Sequence, residues 1–269
     1  MSLLKYYTKG ILSNRNLWFW GVAFMIFWLF LYAFSFAQGV PKTQPALLEF
    51  SAFSYGSIAL FSSSSLAISI AYSIYYASSS LVYSFRFTRL NLSSYIATLI
   101  GSSSALGIIL SAIMIACTYI IIFSLKFGFN LAPANQLGAF GVSALAGVFM
   151  MTFALFLVLL VVNYAGLQNI SLVTFILLIL AFGLGLATVN SPLPTGLLYG
   201  SPYNAIQTLL YTTYSGLAAH AQLSDPTSAI LQWQYMVASL IAWIVLLLGV
   251  DGLLLRRLKP RQAEEGRQI

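Results

Sequence analysis

AFGVSALAGVFMMTFALFLVLLVV (residues 139–162), NYAGLQN (163–169) and ISLVTFILLILAFGLGLATV (170–189) decide the fold class of this chain: two unbroken apolar runs joined by one short polar turn. Each run has the roughly 20 residues that an α-helix needs to cross a hydrocarbon layer about 30 Å thick. Both lie inside a longer stretch, residues 127–224, that contains no Asp, Glu, Lys or Arg and in which His220 is the one group that readily gains a charge. Soluble domains carry about a quarter of their residues charged. Here 6% are charged and 60% hydrophobic, so the solvent for most of the 269 residues is lipid.

Working outward, the same reading predicts six spans, at about 17–37, 52–76, 95–125, 139–162, 170–189 and 231–255. The first is too long for the apolar core of a signal peptide and is read as an uncleaved helix, stopped by the turn at Pro41. The third is longer than a perpendicular span needs, which implies tilt or an interfacial start. The expected fold class is therefore an all-α membrane protein of six transmembrane helices (17–255). A basic amphipathic interfacial helix (1–16) precedes them, a broken outer segment lies between spans five and six, and a basic tail (256–269) closes the chain. No stretch remains for a soluble catalytic domain.

Orientation follows from the basic residues. With six spans both termini share a side, and that side collects Lys5, Lys9, Arg15, Arg86, Arg89, Arg256, Arg257, Lys259, Arg261 and Arg267, against Lys42 and Lys126 opposite. The positive-inside rule then predicts a multi-pass protein of the cell membrane with both termini cytoplasmic.

Three irregular segments carry more information than the spans. In residues 2–16, Leu3, Leu4, Tyr7 and Ile11 gather on one helical face and Ser2, Lys5, Lys9 and Ser13 on the other, the pattern of a helix lying in the interface near anionic head groups. The connection 77–92 mixes aromatics with Arg86 and Arg89 and lacks the Gly-rich polarity of a floppy linker. Read as a helix it places Phe85 near Arg89 and Arg86 near Leu90, a short amphipathic element able to dock on a partner. The outer stretch 190–229, with Pro192, Pro194, Gly196, Gly200 and Pro202 ahead of Tyr203, is too apolar for an exposed loop and too interrupted for a span. A re-entrant or interfacial helical pair satisfies both.

Small residues recur at helical spacing: Ser62, Ser65, Ser69 and Ser73 in span two, and Ser103, Gly107 and Ser111 in span three. They fit close helix packing, or a polar uncharged lining of a path, or both. Chemistry is narrowed by subtraction. One His and one Cys are too few for a bis-histidine haem or a structural zinc site, and Cys117 is read as packing. Ser215 and His220 lie in the outer segment, far from the arrangement of an intramembrane protease. No span centre holds an ionisable group of the kind that ion-coupled carriers use. Asp251 is expected beside Arg256 and Arg257, paired with them or solvated. No catalytic residue, metal ligand or nucleic-acid-binding feature emerges.

The order of these parts resembles a known family. An amphipathic lead-in (3–16) precedes span one, Arg86-Phe87-Thr88-Arg89-Leu90 joins spans two and three, a Pro/Gly-broken segment joins five and six, and Leu255-Arg256-Arg257-Leu258-Lys259 closes the chain. This layout resembles the permease subunit of type-2 ABC transporters, an exporter class. Many members carry a glutamate in the loop after span two, ahead of the coupling segment; this chain departs from them in having no acid between Glu49 and Asp225. The resemblance implies a subunit that forms the translocation path and binds no cofactor itself, with ATP and Mg on a separate ATP-binding subunit; no Walker motif occurs in this chain. It implies pairing with a second permease subunit, ATPase coupling through Phe85, Arg86, Thr88, Arg89, Leu90, Lys5 and Lys9, and an outer gate from Pro192 to Tyr203. From a different class, the composition also admits a non-catalytic membrane anchor or assembly subunit of a larger complex.

Overall fold

The computed structural model describes residues 3–87, 91–124, 128–165, 170–190, 193–222 and 228–257. Among these the regular elements are helices, with one isolated antiparallel bridge between His220 and Ile230. The chain order is α1 (Leu3–Leu12), α2 (Arg15–Gly39), α3 (Gln44–Phe87), α4 (Leu92–Ala116), α5 (Gln136–Leu160), α6 (Ser171–Asn190), α7 (Thr195–Gly200), α8 (Pro202–Ser215) and α9 (Trp233–Arg256). Wide π-type turns interrupt α2 at Phe19–Ala23, extend α4 through Cys117–Ser124 and extend α5 through Val161–Ala165. Among the described residues five helices are long and apolar enough to cross a membrane: Arg15–Gly39, Gln44–Ser78 within α3, Leu92–Ile120, Gln136–Tyr164 and Trp233–Arg256. This is an all-α, multi-pass membrane protein. Where a further span was expected at 170–189, α6 contributes the shorter apolar stretch Val173–Gly185.

Local sequence explains where these helices start and stop. Asn14, Asn91 and Asn135 each turn a side-chain oxygen onto a backbone N–H two or three residues ahead, capping α2, α4 and α5 and satisfying donors that a helix start leaves unpaired. Ser201 caps α8, and Pro202 follows at the position that needs no N–H. Gly216 closes α8 in the left-handed conformation, φ 74°, which glycine adopts without steric penalty.

The largest departure from the sequence reading is α3. A span ending at Tyr76 and a separate amphipathic element were expected; one helix of 44 residues, about 66 Å long, runs through both. Polarity rises after Tyr76, but no Gly or Pro follows Gly56 before Phe87 to break the helix. The added serines also keep their hydroxyls on the helix's own carbonyls: Ser78 on Tyr75, Ser80 on Ala77 and Ser84 on Ser80. Serines bonded back in this way are satisfied without leaving the helical conformation.

α3 is also the axis of the bundle. In its apolar window 83% of residues are buried, against 28% in α9 and 33% in α2, which form the outside. It packs on α2, α4, α5, α6 and α8. At the α2 contact the Ser62 hydroxyl donates to the Gly21 carbonyl at 2.7 Å, within the wide turn Phe19–Ala23. Side chains enter a helix's backbone ladder at such turns.

Candidate functional site: a buried polar seam and a projecting tip

After α6 the chain turns back into the bundle. Trp243 is ten residues past Trp233, about 15 Å along α9, and its indole N–H donates to the Gly200 carbonyl at 2.8 Å. The elbow between α7 and α8 therefore sits part-way along α9, on the exposed side of the bundle. The last carbonyls of α8, on Thr213 and Tyr214, accept the N–H groups of Asn135 and Ala134 at 2.9 and 2.8 Å. α8 thus runs from this elbow to the segment that caps α5, which closes its far end.

Residues 203–211 of α8 are all buried, among them Asn204, Gln207 and Thr208. Facing them, Ser51, Ser54 and Ser57 of α3 have no solvent exposure. The Gln207 amide donates to the Ser57 hydroxyl at 3.0 Å. Gly56 makes that contact possible: a Cβ there would stand 3.0 Å from the Gln207 carbonyl oxygen and 3.5 Å from the Tyr211 nitrogen. Further along the seam the Tyr55 hydroxyl pairs with the Ser111 hydroxyl at 2.7 Å, the Tyr55 ring lies 5.0 Å from that of Tyr214, and the Tyr214 hydroxyl donates to the Leu131 carbonyl at 3.0 Å. Asn204 is fully buried, and neither its amide oxygen nor its amide nitrogen has a partner among the described residues. The seam carries hydroxyls and carboxamides and no charge. Such groups can exchange hydrogen bonds with neutral polar cargo and offer no fixed counter-charge to an ion.

The small residues singled out from the sequence fall at two contacts. Ser103, Gly107 and Ser111 lie on α4 where it crosses α5, the most extensive helix pair of the bundle. A Cβ on Gly107 would strike the Ser143 carbonyl, and one on Gly147 would strike the Ser103 carbonyl. The partner residues Ser143 and Gly147 were missed, although they form their own small-x-x-x-small spacing in span four. Ser62 meets α2 as described above. Ser65 and Ser69 border a cavity of about 140 Å³ shared with Asn16, Trp20 and Phe175.

At the basic end, α1 packs on α4 with Ile11 buried, while Lys5 and Lys9 are exposed. Leu4 sits against Gly101, nine residues or about 14 Å of helix beyond Leu92. Tyr7 of α1 lies near Ser73 of α3 and Tyr95 of α4, so the last turns of α3 run on past that point and meet the start of α4 as a tip. Phe85 meets Tyr95 edge-on at 5.6 Å within it. The expected docking element is the last turns of α3 rather than a helix of its own. Thr88, Arg89, Leu90 and the side chain of Arg86 lie outside the described residues.

In the segment expected as an outer gate, Pro194 caps α7 and is exposed, as are Gly196 and Gly200. Pro202 opens α8. Tyr203 is 2% exposed and stands edge-on to Phe149 and Phe153 at 5.7 and 6.4 Å; Pro192 lies outside the described residues. His220 is half-buried, with Nδ1 3.0 Å from the Ser228 carbonyl. Cys117 is buried.

No protein-family model matches the chain. No curated protein matches it either. The functional reading therefore rests on the residues themselves.

Asp251 overturns one expectation. Its side chain is fully buried, neither carboxylate oxygen has a hydrogen-bond partner among the described residues, and Arg256 and Arg257 are exposed. It is neither solvated nor paired with those arginines, because at this position of α9 it faces the bundle interior. A buried polar group without partners destabilises a fold by about 1–3 kcal/mol. Asp251→Leu is accordingly expected to raise the melting temperature of the purified protein; a lower melting temperature would reveal a compensating partner.

Proposed function

We propose that this chain is the membrane-spanning permease subunit of an ATP-driven exporter of the type-2 ABC class. In this reading α6 completes six spans, both termini are cytoplasmic in the cell membrane, and two permease subunits pair. The carrying observation is the tip: α3 runs unbroken from the polar seam to a basic end 14 residues, about 21 Å of helix, beyond Ser73, which lies beside Tyr7 of α1. A rigid helix of this kind converts a push at its tip into movement at the seam, since packed helices shift as units. A separate ATP-binding subunit, holding ATP and Mg, would dock on the tip and on the exposed face of α1 with Lys5 and Lys9. The chain itself catalyses nothing in this scheme. The uncharged seam and α8 would form part of the path and its outer gate, for neutral or amphipathic cargo.

Arg86→Glu combined with Arg89→Glu tests this. The expected result is an intact bundle that no longer retains its ATPase partner and no longer stimulates ATP hydrolysis; unchanged stimulation by the double variant would remove the tip as the docking site. The exposed aromatic face of α2, including Trp20, Phe27, Phe30 and Phe34, also suits an anchor or assembly subunit seated against other membrane proteins. Purifying the intact complex separates the readings: an ATP-binding partner supports the exporter, and an assembly without one supports the anchor.

A further inference from the structure

A cavity of about 440 Å³ lies beneath the elbow between α7 and α8, within the roughly 300–1,000 Å³ of small-molecule sites. Phe149 and Phe153 of α5 form its floor, Leu180 and Leu184 of α6 one wall, and Trp243 and Leu247 of α9 the other. Its lining is almost wholly apolar, and of the polar groups around it the Tyr203 hydroxyl has no hydrogen-bond partner among the described residues. The Trp243 N–H bonds to the Gly200 carbonyl, and the Ser201 hydroxyl accepts from the Asn204 N–H at 3.5 Å. What the void presents is almost wholly carbon.

Its position says which apolar molecule reaches it. Leu247 lies 14 residues past Trp233, about 21 Å along a helix whose 24 residues span about 36 Å, so the cavity sits near the middle of the membrane-crossing length. α6 and α9 both pack on α8, and among the described residues α6 and α9 make at most slight contact with each other, which leaves the cavity open sideways between them. Beside that opening Ile176 of α6, on the face of Leu180 and Leu184, and Leu246 of α9 are exposed, and Ile179 and Val245 are exposed on the outer surface of the same helices. The cavity is thus continuous with the protein's lipid-facing surface. Left empty, walls of this kind forfeit dispersion contacts, and an apolar void stays dry.

We propose that the cavity holds one acyl chain of a membrane lipid, entering sideways between α6 and α9 beneath the elbow. The proposal rests on the multi-pass membrane architecture and is independent of the exporter reading. With a hydrocarbon tail in place, the elbow of α7 and α8 is supported from below. The occupancy of a lipid chain then bears directly on α8, which lines the polar seam.

The full chain, reconstituted in phosphatidylcholine vesicles containing a phospholipid with a photoactivatable diazirine near the end of one acyl chain, supplies the test. Irradiation and peptide mapping are expected to find cross-links at Phe149 and Leu184 inside the cavity as well as at Ile179 and Val245 on the outer surface. Gly196 and Gly200 border the cavity, and nothing lies within 4 Å of a Cβ at either position. Gly196→Leu and Gly200→Leu therefore fill it without a clash. Both variants are expected to lose the cavity cross-links while keeping those at Ile179 and Val245 and an unchanged melting temperature. If either variant melts early, Leu184→Trp blocks the same space from the opposite wall. Cavity cross-links that persist in the filled variants would overturn the proposal, as would labelling confined to the outer surface of the unaltered protein. Cross-linking of a second copy of the chain to Phe149 in place of lipid would do so too.

Discussion

Gly107→Leu and Gly147→Leu are each expected to abolish recovery of folded, monodisperse protein. At the crossing of α4 and α5 a Cβ on either glycine would overlap the carbonyl of a serine on the other helix, Ser143 or Ser103. Backbone cannot rotate away as a side chain can. Even Gly107→Ala forces the helices apart, and overpacking of this order destabilises by about 1–3 kcal/mol. In lipid the loss is not offset by hydrophobic driving force, because helix association there depends on close packing and hydrogen bonds. Gly183 and Gly249 are the controls: both are helical, and nothing lies within 4 Å of a Cβ at either. Alanine at those sites is expected to leave the melting temperature unchanged or raise it, since glycine inside a helix is less favourable than alanine by about 0.5–1 kcal/mol. Thermal unfolding in detergent, followed by light scattering, measures all four. Normal melting of Gly107→Leu would mean that α4 and α5 do not meet as described.

Gly56→Leu is expected to detach α8 while the rest of the bundle survives. The new side chain would press on the Gln207 carbonyl and the Tyr211 nitrogen, pushing α8 off α3 and breaking the bond from Gln207 to Ser57. Loss of a hydrogen bond between a buried carboxamide and a buried hydroxyl adds about 0.5–1.5 kcal/mol to the overpacking. The direct readout is access to Thr208, which is 3% exposed. With Cys117 replaced by Ala and a cysteine placed at position 208, the thiol is expected to resist a membrane-impermeant maleimide until Gly56→Leu is added. Under the proposed function the same change stops export, because the seam is no longer closed. Continued protection of position 208 in the Gly56→Leu background would contradict the packing of α8 on α3.

Much of the helical framework was legible in local sequence. The apolar runs place α2, α4, α5 and α9 within a few residues, and the Pro/Gly cluster up to Pro202 marks the break ahead of α8. The end of span two was not legible. Its signal was a rise in polarity, whereas α3 continues because its serines bond back to its own turns. The crossing of α4 and α5 was half visible: Ser103, Gly107 and Ser111 stood out, while Ser143 and Gly147 passed unnoticed within an apolar run. Asp251 was misread because sequence spacing places it near Arg256 and Arg257, whereas the direction of its side chain on α9 places it inside.

By itself, then, the sequence determined the solvent and the element type. A chain with 6% charged residues cannot cover itself for water, and in lipid a helix satisfies every backbone group within its own segment. Which polar residues face one another was decided by the tertiary structure alone. Ser57 finds Gln207 across 150 residues of chain, and Tyr55 finds Ser111 across 56. A hydroxyl on one helix is equally compatible with its own turn, a neighbouring helix or a path through the membrane until the second surface is in place. Packing supplies that surface.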